Sequence, residues 1–150
     1  MSINFEKSSW GVVYRKKKWK IEILLLKWTN SRNEDEYVLP KGKIEDDEIA
    51  KDTALREIWE EAGLYESDLE VIKFITKLNY TFCASYLPGR PFIDKDVYLF
   101  LVKYNGDRKP IPRVEERFTW YDWIDIRDIP KLSLKFDLNW IISRNKTYFI

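Results

Sequence analysis

Between Asp47 and Ala62 the sequence DEIAKDTALREIWEEA repeats its apolar residues at the period of an α-helix. Leu55, Ile58, Trp59 and Ala62 fall on one arc, and Gly63 follows where a helix end favours a residue without Cβ. This is the one strongly helical segment inside the chain, and strand-like stretches stand on both sides of it. Trp10–Tyr14 and Trp19–Trp28 flank the basic turn Arg15–Lys18 and predict a hairpin, with Lys16, Lys17 and Lys18 at a solvated tip. Thr29–Glu36 is a polar loop that ends in the short apolar YVLP. After the helix, Leu69–Phe82 predicts one or two strands, Asp96–Tyr104 a buried strand and Phe118–Ile126 a last one. A closing amphipathic helix is expected over Leu134–Arg144. The order β-β-α-β-β-β-α implies an α+β fold, with a mixed central β-sheet between helices.

A chain of 150 residues with 45% hydrophobic content can bury one sizeable core, so a single domain over residues 1–150 is expected. Its 26 basic and 25 acidic side chains nearly cancel, leaving no global field for nucleic acid or an anionic membrane. No apolar run reaches the length of a signal peptide core or a bilayer span, and a cytoplasmic protein without membrane contact is the expectation. With one cysteine, Cys83, there is no internal disulfide framework, and Cys83 reads as a small buried hydrophobe. The chain has no histidine, so a metal site would have to be built from oxygen, which suits Mg²⁺ or Mn²⁺ rather than zinc.

The helix carries a second pattern opposite its apolar arc. Residues three and four apart are neighbours on a helix, so Glu57, Glu60 and Glu61 lie within roughly a 100° arc. Like charges so placed repel by a few tenths of a kcal/mol per pair, roughly, and Arg56 is the only nearby cation. A divalent ion held by these carboxylates would supply the missing charge. A solvated acidic face is the plainer reading of spacing alone. The residues before the helix alter the balance, because the Pro40-Lys41-Gly42 turn can aim a backbone carbonyl at an ion while its lysines reach phosphate.

From Gly42 the order is five residues, Glu48, seven residues, Arg56-Glu57-Ile58, one residue, Glu60-Glu61, one residue, Gly63-Leu64. This resembles the box that marks the Nudix hydrolase family, at all nine of its defined positions. The resemblance implies a Nudix-type α/β/α sandwich and hydrolysis of a nucleoside diphosphate linked to another group. It implies Mg²⁺ or Mn²⁺ held by Glu57, Glu60 and Glu61, with the Gly42 or Lys41 carbonyl as a further ligand. Glu48 and Arg56 would orient those carboxylates. For the general base the resemblance offers Glu57, or an acid of the late loop, Glu115 or Glu116; Glu57 is preferred over Glu116.

Shorter segments are similar to the asymmetrical bis(5'-nucleosyl)-tetraphosphatase branch of the family: LPKGKIE before the helix, KLNYTF over Lys77–Phe82, and Lys95 ahead of the strand DVYLFLV. By that resemblance Lys41, Lys43 and Lys95 contact polyphosphate and Tyr80 stacks on an adenine, in a small-molecule nucleotide substrate such as diadenosine tetraphosphate. A half-buried strand position accounts equally well for Tyr80. Diphosphoinositol polyphosphates, an RNA 5' end, a nucleoside triphosphate to be sanitised, or a nucleotide bound by a non-catalytic sensing module remain the alternatives. The first would want a denser cationic rim and the second a basic groove. Trp59 and Ile58 are expected in the core.

Overall fold

The computed structural model describes residues 3–150. One long strand pair is parallel: β1 (Ile3–Lys17) runs beside β6 (Phe92–Tyr104) from Ile3↔Phe92 to Tyr14↔Lys103. All other pairings are antiparallel, so the sheet is mixed, as expected. β2 (Lys20–Thr29) returns from β1 through the hairpin at Lys18, and β5 (Leu69–Cys83) lies on the far side of β6. Two short strands were not legible as such: β3 (Asp35–Val38), which pairs β2, and β4 (Lys41–Lys43), which pairs β1. β7 (Phe118–Asp125) completes the sheet of seven strands on β2.

Ser8, Ser9 and Trp10 pair with β4 and β6 at once, and Tyr14 with β2 and β6. The strands β4 and β2 therefore share one edge of β1, with a gap between them that the Gly11 N–H bridges to the Pro40 carbonyl at 3.0 Å. That gap is where the turn before α1 (Ala50–Ala62) comes up against the sheet.

Alternating side chains send two apolar sets to opposite faces. Val13, Leu24, Leu26 and Val102 pack against Ala54, Ile58 and Ala62 of α1. Val12, Ile23, Leu25, Leu99 and Leu101 pack against Leu138, Ile141 and Ile142 of α2 (Leu138–Arg144). The result is the expected α/β/α sandwich.

Four local expectations are corrected. Helix α1 begins at Ala50 and not Asp47, because Asp47 takes a left-handed φ of 63° that no helix accommodates. The closing helix starts at Leu138 rather than Leu134, since Phe136 and Asp137 are both left-handed, at φ 60° and 58°. Trp59 is 43% exposed; it sits at the rim of the apolar arc and stacks on Tyr65, with ring centroids 5.2 Å apart. Cys83 is exposed near the end of the edge strand β5 instead of buried. Among the described residues no helix is long and apolar enough to cross a membrane.

Candidate functional site

The α1 helix ends as its sequence foretells. Gly63 adopts φ 68° and its N–H closes on the Trp59 carbonyl at 2.9 Å, a left-handed cap that glycine enters without a Cβ penalty. Beyond it, the late loop is stitched to the same helix end: the Ile111 N–H donates to the Ala62 carbonyl at 2.7 Å and the Arg113 N–H to the Glu61 carbonyl at 3.1 Å. This docking brings the turn Val114–Glu116 to the carboxylate side of α1.

Arg56 organises that side. Its guanidinium donates to both oxygens of Glu48, from Nε at 2.8 Å and Nη2 at 3.0 Å. Nη1 reaches Glu57 at 2.8 Å and Glu60 at 3.2 Å, and Nη2 also donates to the Lys43 carbonyl at 3.0 Å. Glu48 accepts a further bond from the Thr53 hydroxyl at 2.7 Å. The Arg56 fork holds the Glu48 carboxyl down at about 2. Sequence spacing had joined these residues; the structure brings Glu48, Arg56, Glu57 and Glu60 into one network.

Glu57 and Glu61 lie between α1 and the turn before it, 9% and 6% exposed. Burial pushes Glu57 up to about 7 against the pull of Arg56, and the charges of Glu60 and Glu116 add to the rise. Burial also pushes Glu61 up to about 8, although it accepts the Lys41 N–H at 2.7 Å. Glu57 fills the space where Gly42 would carry a side chain: a Cβ there would overlap its carboxylate. A side chain at that position of the turn would have to displace the Glu57 carboxylate.

Two buried carboxylates pushed upward, a third acid beside them and a glycine-lined approach make an all-oxygen donor set that suits a hard dication. These acids are not gathered about one point. Glu57 and Glu60 turn to Arg56, Glu61 turns to the Lys41 amide, and among the described residues no three acidic side chains stand at ligating distance. Of the two late-loop acids, Glu116 is close enough to raise both Glu57 and Glu61; its own carboxylate is exposed, 3.9 Å from Arg113.

On the opposite sheet face a cleft of about 640 Å³ opens between β4, β5 and the segment before α2. Trp10, Trp28, Tyr37, Tyr80, Phe82 and Phe136 give it an aromatic lining, and Lys41 enters its wall. Burial pushes the Lys41 ammonium down, opposed by the charge of Glu61. Tyr80 does not offer a free face: Phe136 stacks on it with centroids 4.5 Å apart. Lys95 and Lys43 sit next to the cleft, both ion-paired to Glu6, at 3.6 Å and 3.1 Å.

Glu6, Trp10, Trp28 and Phe136 went unnoticed in the sequence. Glu6 lies in a strand start that carries too few apolar residues to be recognised. A strict alternation from Glu6 through Ser8 to Trp10, once the strand is known, would have placed it on the cleft face.

A model of the NUDIX domain matches residues 6–142 of the 150-residue chain. The chain belongs to the Nudix family. Enzymes of that family generally use divalent metals such as Mg²⁺ or Mn²⁺. Solved Nudix structures share the fold at low identity. A C. elegans Ap4A hydrolase in a binary complex superposes with a TM-score of 0.73 at 21% identity, over 95% of this chain and 96% of that one. The E. coli dihydroneopterin triphosphate pyrophosphohydrolase gives 0.70 at 17% identity, over 95% and 97%. The NUDIX domain of Shewanella oneidensis NrtR, complexed with ADP ribose, gives 0.63 at 19% identity, over 95% and 88%.

Proposed function

We propose that this Nudix chain is, as a single cytoplasmic domain, a metal-dependent hydrolase of a phosphoanhydride in a nucleoside polyphosphate, with diadenosine tetraphosphate, cleaved to ATP plus AMP, as its substrate. The observation that carries the reading is the position of the turn Lys41–Lys43. It joins an aromatic cleft with lysines at its wall to a helix of buried carboxylates. The cleft suits a nucleobase, the lysines suit phosphate, and the carboxylates suit the dications that phosphoryl chemistry needs. The choice of a dinucleoside tetraphosphate rests on the likeness of Lys41, Lys43, Tyr80 and Lys95 to that branch, and on the fold shared with the C. elegans Ap4A hydrolase.

In this reading Glu57, Glu60 and Glu61 hold Mg²⁺ or Mn²⁺, with the Gly42 or Lys41 carbonyl beside them. A dication held there would supply charge to offset the phosphate oxygens and would lower the pKa of a water. Arg56, itself anchored on Glu48, orients Glu57 and Glu60 by charge-assisted hydrogen bonds. Glu57 takes the proton as general base, and Glu116, half exposed on the late loop, is the alternative base. Lys41, Lys43 and Lys95 bind the phosphate chain, and Tyr80 binds a base once Phe136 yields its face or joins the stack.

Incubation with Mg²⁺ and diadenosine tetraphosphate tests this directly. ATP plus AMP in equal amounts supports it; two ADP assigns a different cleavage, and turnover only of dihydroneopterin triphosphate or of a nucleoside triphosphate assigns a different substrate. One observation favours a second reading. The three glutamates are engaged by Arg56 and an amide, and a structural neighbour binds ADP ribose, so a nucleotide-sensing module would show tight binding without turnover.

A further inference from the structure

Two of the three lysines assigned above to phosphate, Lys43 and Lys95, are already occupied by an anion from the chain itself. Glu6 of β1 stands opposite Lys95 of β6, and Lys95 opposite Tyr80 of β5, so the three residues form one row across adjacent strands on the cleft face. Ser8 stands opposite Lys43, which brings Lys43 next to Glu6 from the other side. One Glu6 oxygen meets Lys43 Nζ at 3.1 Å and the other meets Lys95 Nζ at 3.6 Å. This two-point engagement is what a phosphate would make with the same pair.

The surroundings favour an exchange of anions over a fixed structural bridge. The Lys43 side chain is 66% exposed, while those of Glu6 and Lys95 are 21% and 20% exposed, so the pair is open to solvent on the side of Lys43. The Glu6–Lys43 pair, with one partner so exposed, contributes little to folding, and the more enclosed Glu6–Lys95 pair is the longer of the two, at 3.6 Å. Lys95 also lies over the Phe82 ring, 5.5 Å from its centroid, and Phe82 lines the cleft. Lys95 thus has a second resting contact when its carboxylate is displaced.

We propose that Glu6 is an internal counter-anion for the phosphate-binding lysines: it holds Lys43 and Lys95 in place in the free protein and must release them when a phosphate chain enters. The inference rests on the reading of this cleft as a phosphate site. Glu6 then competes with every phosphate group that reaches this pair, so its charge weakens the binding of phosphate ligands and eases the departure of a product. No group is transferred; only ionic partners change.

The test is calorimetric titration of the wild-type protein, Glu6→Gln and Glu6→Asp with AMP, ATP and inorganic tripolyphosphate in EDTA. Glu6→Gln keeps the shape and removes one unit of charge beside the lysines. It is expected to tighten ATP and tripolyphosphate about tenfold, at an unchanged melting temperature, and to bring AMP into the measurable range. Glu6→Asp, too short to reach both lysines, falls between. In a Lys95→Met background the gain from Glu6→Gln shrinks, because a partner of the exchange is gone. Phosphate ligands that bind wild type and bind Glu6→Gln no tighter overturn the proposal and leave the hydrolase reading standing. If no phosphate ligand binds any variant, the phosphate cleft fails, and Glu6 as counter-anion with it.

Discussion

The two buried carboxylates make stability a function of pH and of metal in a direction opposite to that of an ordinary surface acid. Glu57 is pushed from 4.5 to about 7 and Glu61 from 4.5 to about 8, chiefly by burial. A carboxyl whose folded value is raised binds more protons folded than unfolded. Its contribution is therefore present below about pH 4.5 and is lost as pH rises towards 7 and 8. Each pH unit over which the native state holds one extra proton costs about 1.4 kcal/mol on ionisation. For Glu57 alone, from 4.5 to about 7, the loss is about 3 kcal/mol. Glu61 adds less than its own interval, since part of its rise is repulsion from the Glu57 carboxylate. For a chain of this size 3 kcal/mol lowers the melting temperature by about 10 °C. Thermal melts in EDTA from pH 5 to pH 8.5 should show that fall, and saturating Mg²⁺ or Mn²⁺ should recover much of it at pH 8 and little at pH 5. Glu48 and Asp125, each held at about 2 by an arginine, contribute stability that is lost only as pH falls, so they leave this window clear. A metal-free melting temperature that stays level from pH 5 to pH 8 refutes the claim that these acids are buried without adequate counter-charge. An equal effect of Mg²⁺ at both ends places the ion elsewhere.

Three substitutions probe the remaining parts. Glu60→Gln should lower turnover by at least about 100-fold while changing stability by less than about 1 kcal/mol, because Glu60 is partly exposed and its charge adds to the repulsion at Glu57; a near-normal rate would remove it from the metal ligands. Gly42→Ala should abolish activity and destabilise by about 1–3 kcal/mol, since the new methyl overlaps the Glu57 carboxylate, and a denaturant midpoint equal to wild type would contradict that contact. Lys95→Ala should raise KM with little effect on kcat, steady-state kinetics being the check; a KM left unchanged would detach Lys95 from the phosphates.

What the sequence disclosed and what it withheld divide along the range of the interactions involved. Glu57, Glu60 and Glu61 were legible because helical spacing puts them side by side, Glu48 and Arg56 because they fall at positions of the Nudix box, and in the structure Arg56 touches Glu48, Glu57 and Glu60. The Gly63 cap was legible for the same local reason. The place of Glu6 was not, because it depends on the parallel register of β1 on β6, set by residues about 90 positions apart. The start of α1 was misplaced because Asp47 turns left-handed to let Glu48 reach Arg56, a tertiary demand that overrides local preference. Trp59 looked like core because it lies at the margin of the apolar arc, where one step of rotation decides between sheet and solvent; Tyr65, just past the cap, gives it a surface to stack on instead.

The three residues of β4 touch both the helix on one sheet face and the cleft on the other. In a strand, successive side chains point to opposite faces while amide and carbonyl groups lie along the edges. Lys41 and Lys43 therefore project to the cleft side, the one into its wall and the other onto Glu6, and Gly42 between them leaves its side of the strand open to Glu57. The backbone of the same residues serves the helix: the Lys41 amide donates to Glu61, and the Lys43 carbonyl accepts from Arg56. Charge on the side chains and geometry of the backbone are thus separable at this turn. Replacing the Lys41 or Lys43 side chain removes a cation from the cleft yet keeps the amide and carbonyl contacts that hold the carboxylate helix, whereas a change at Gly42 disturbs the helix first.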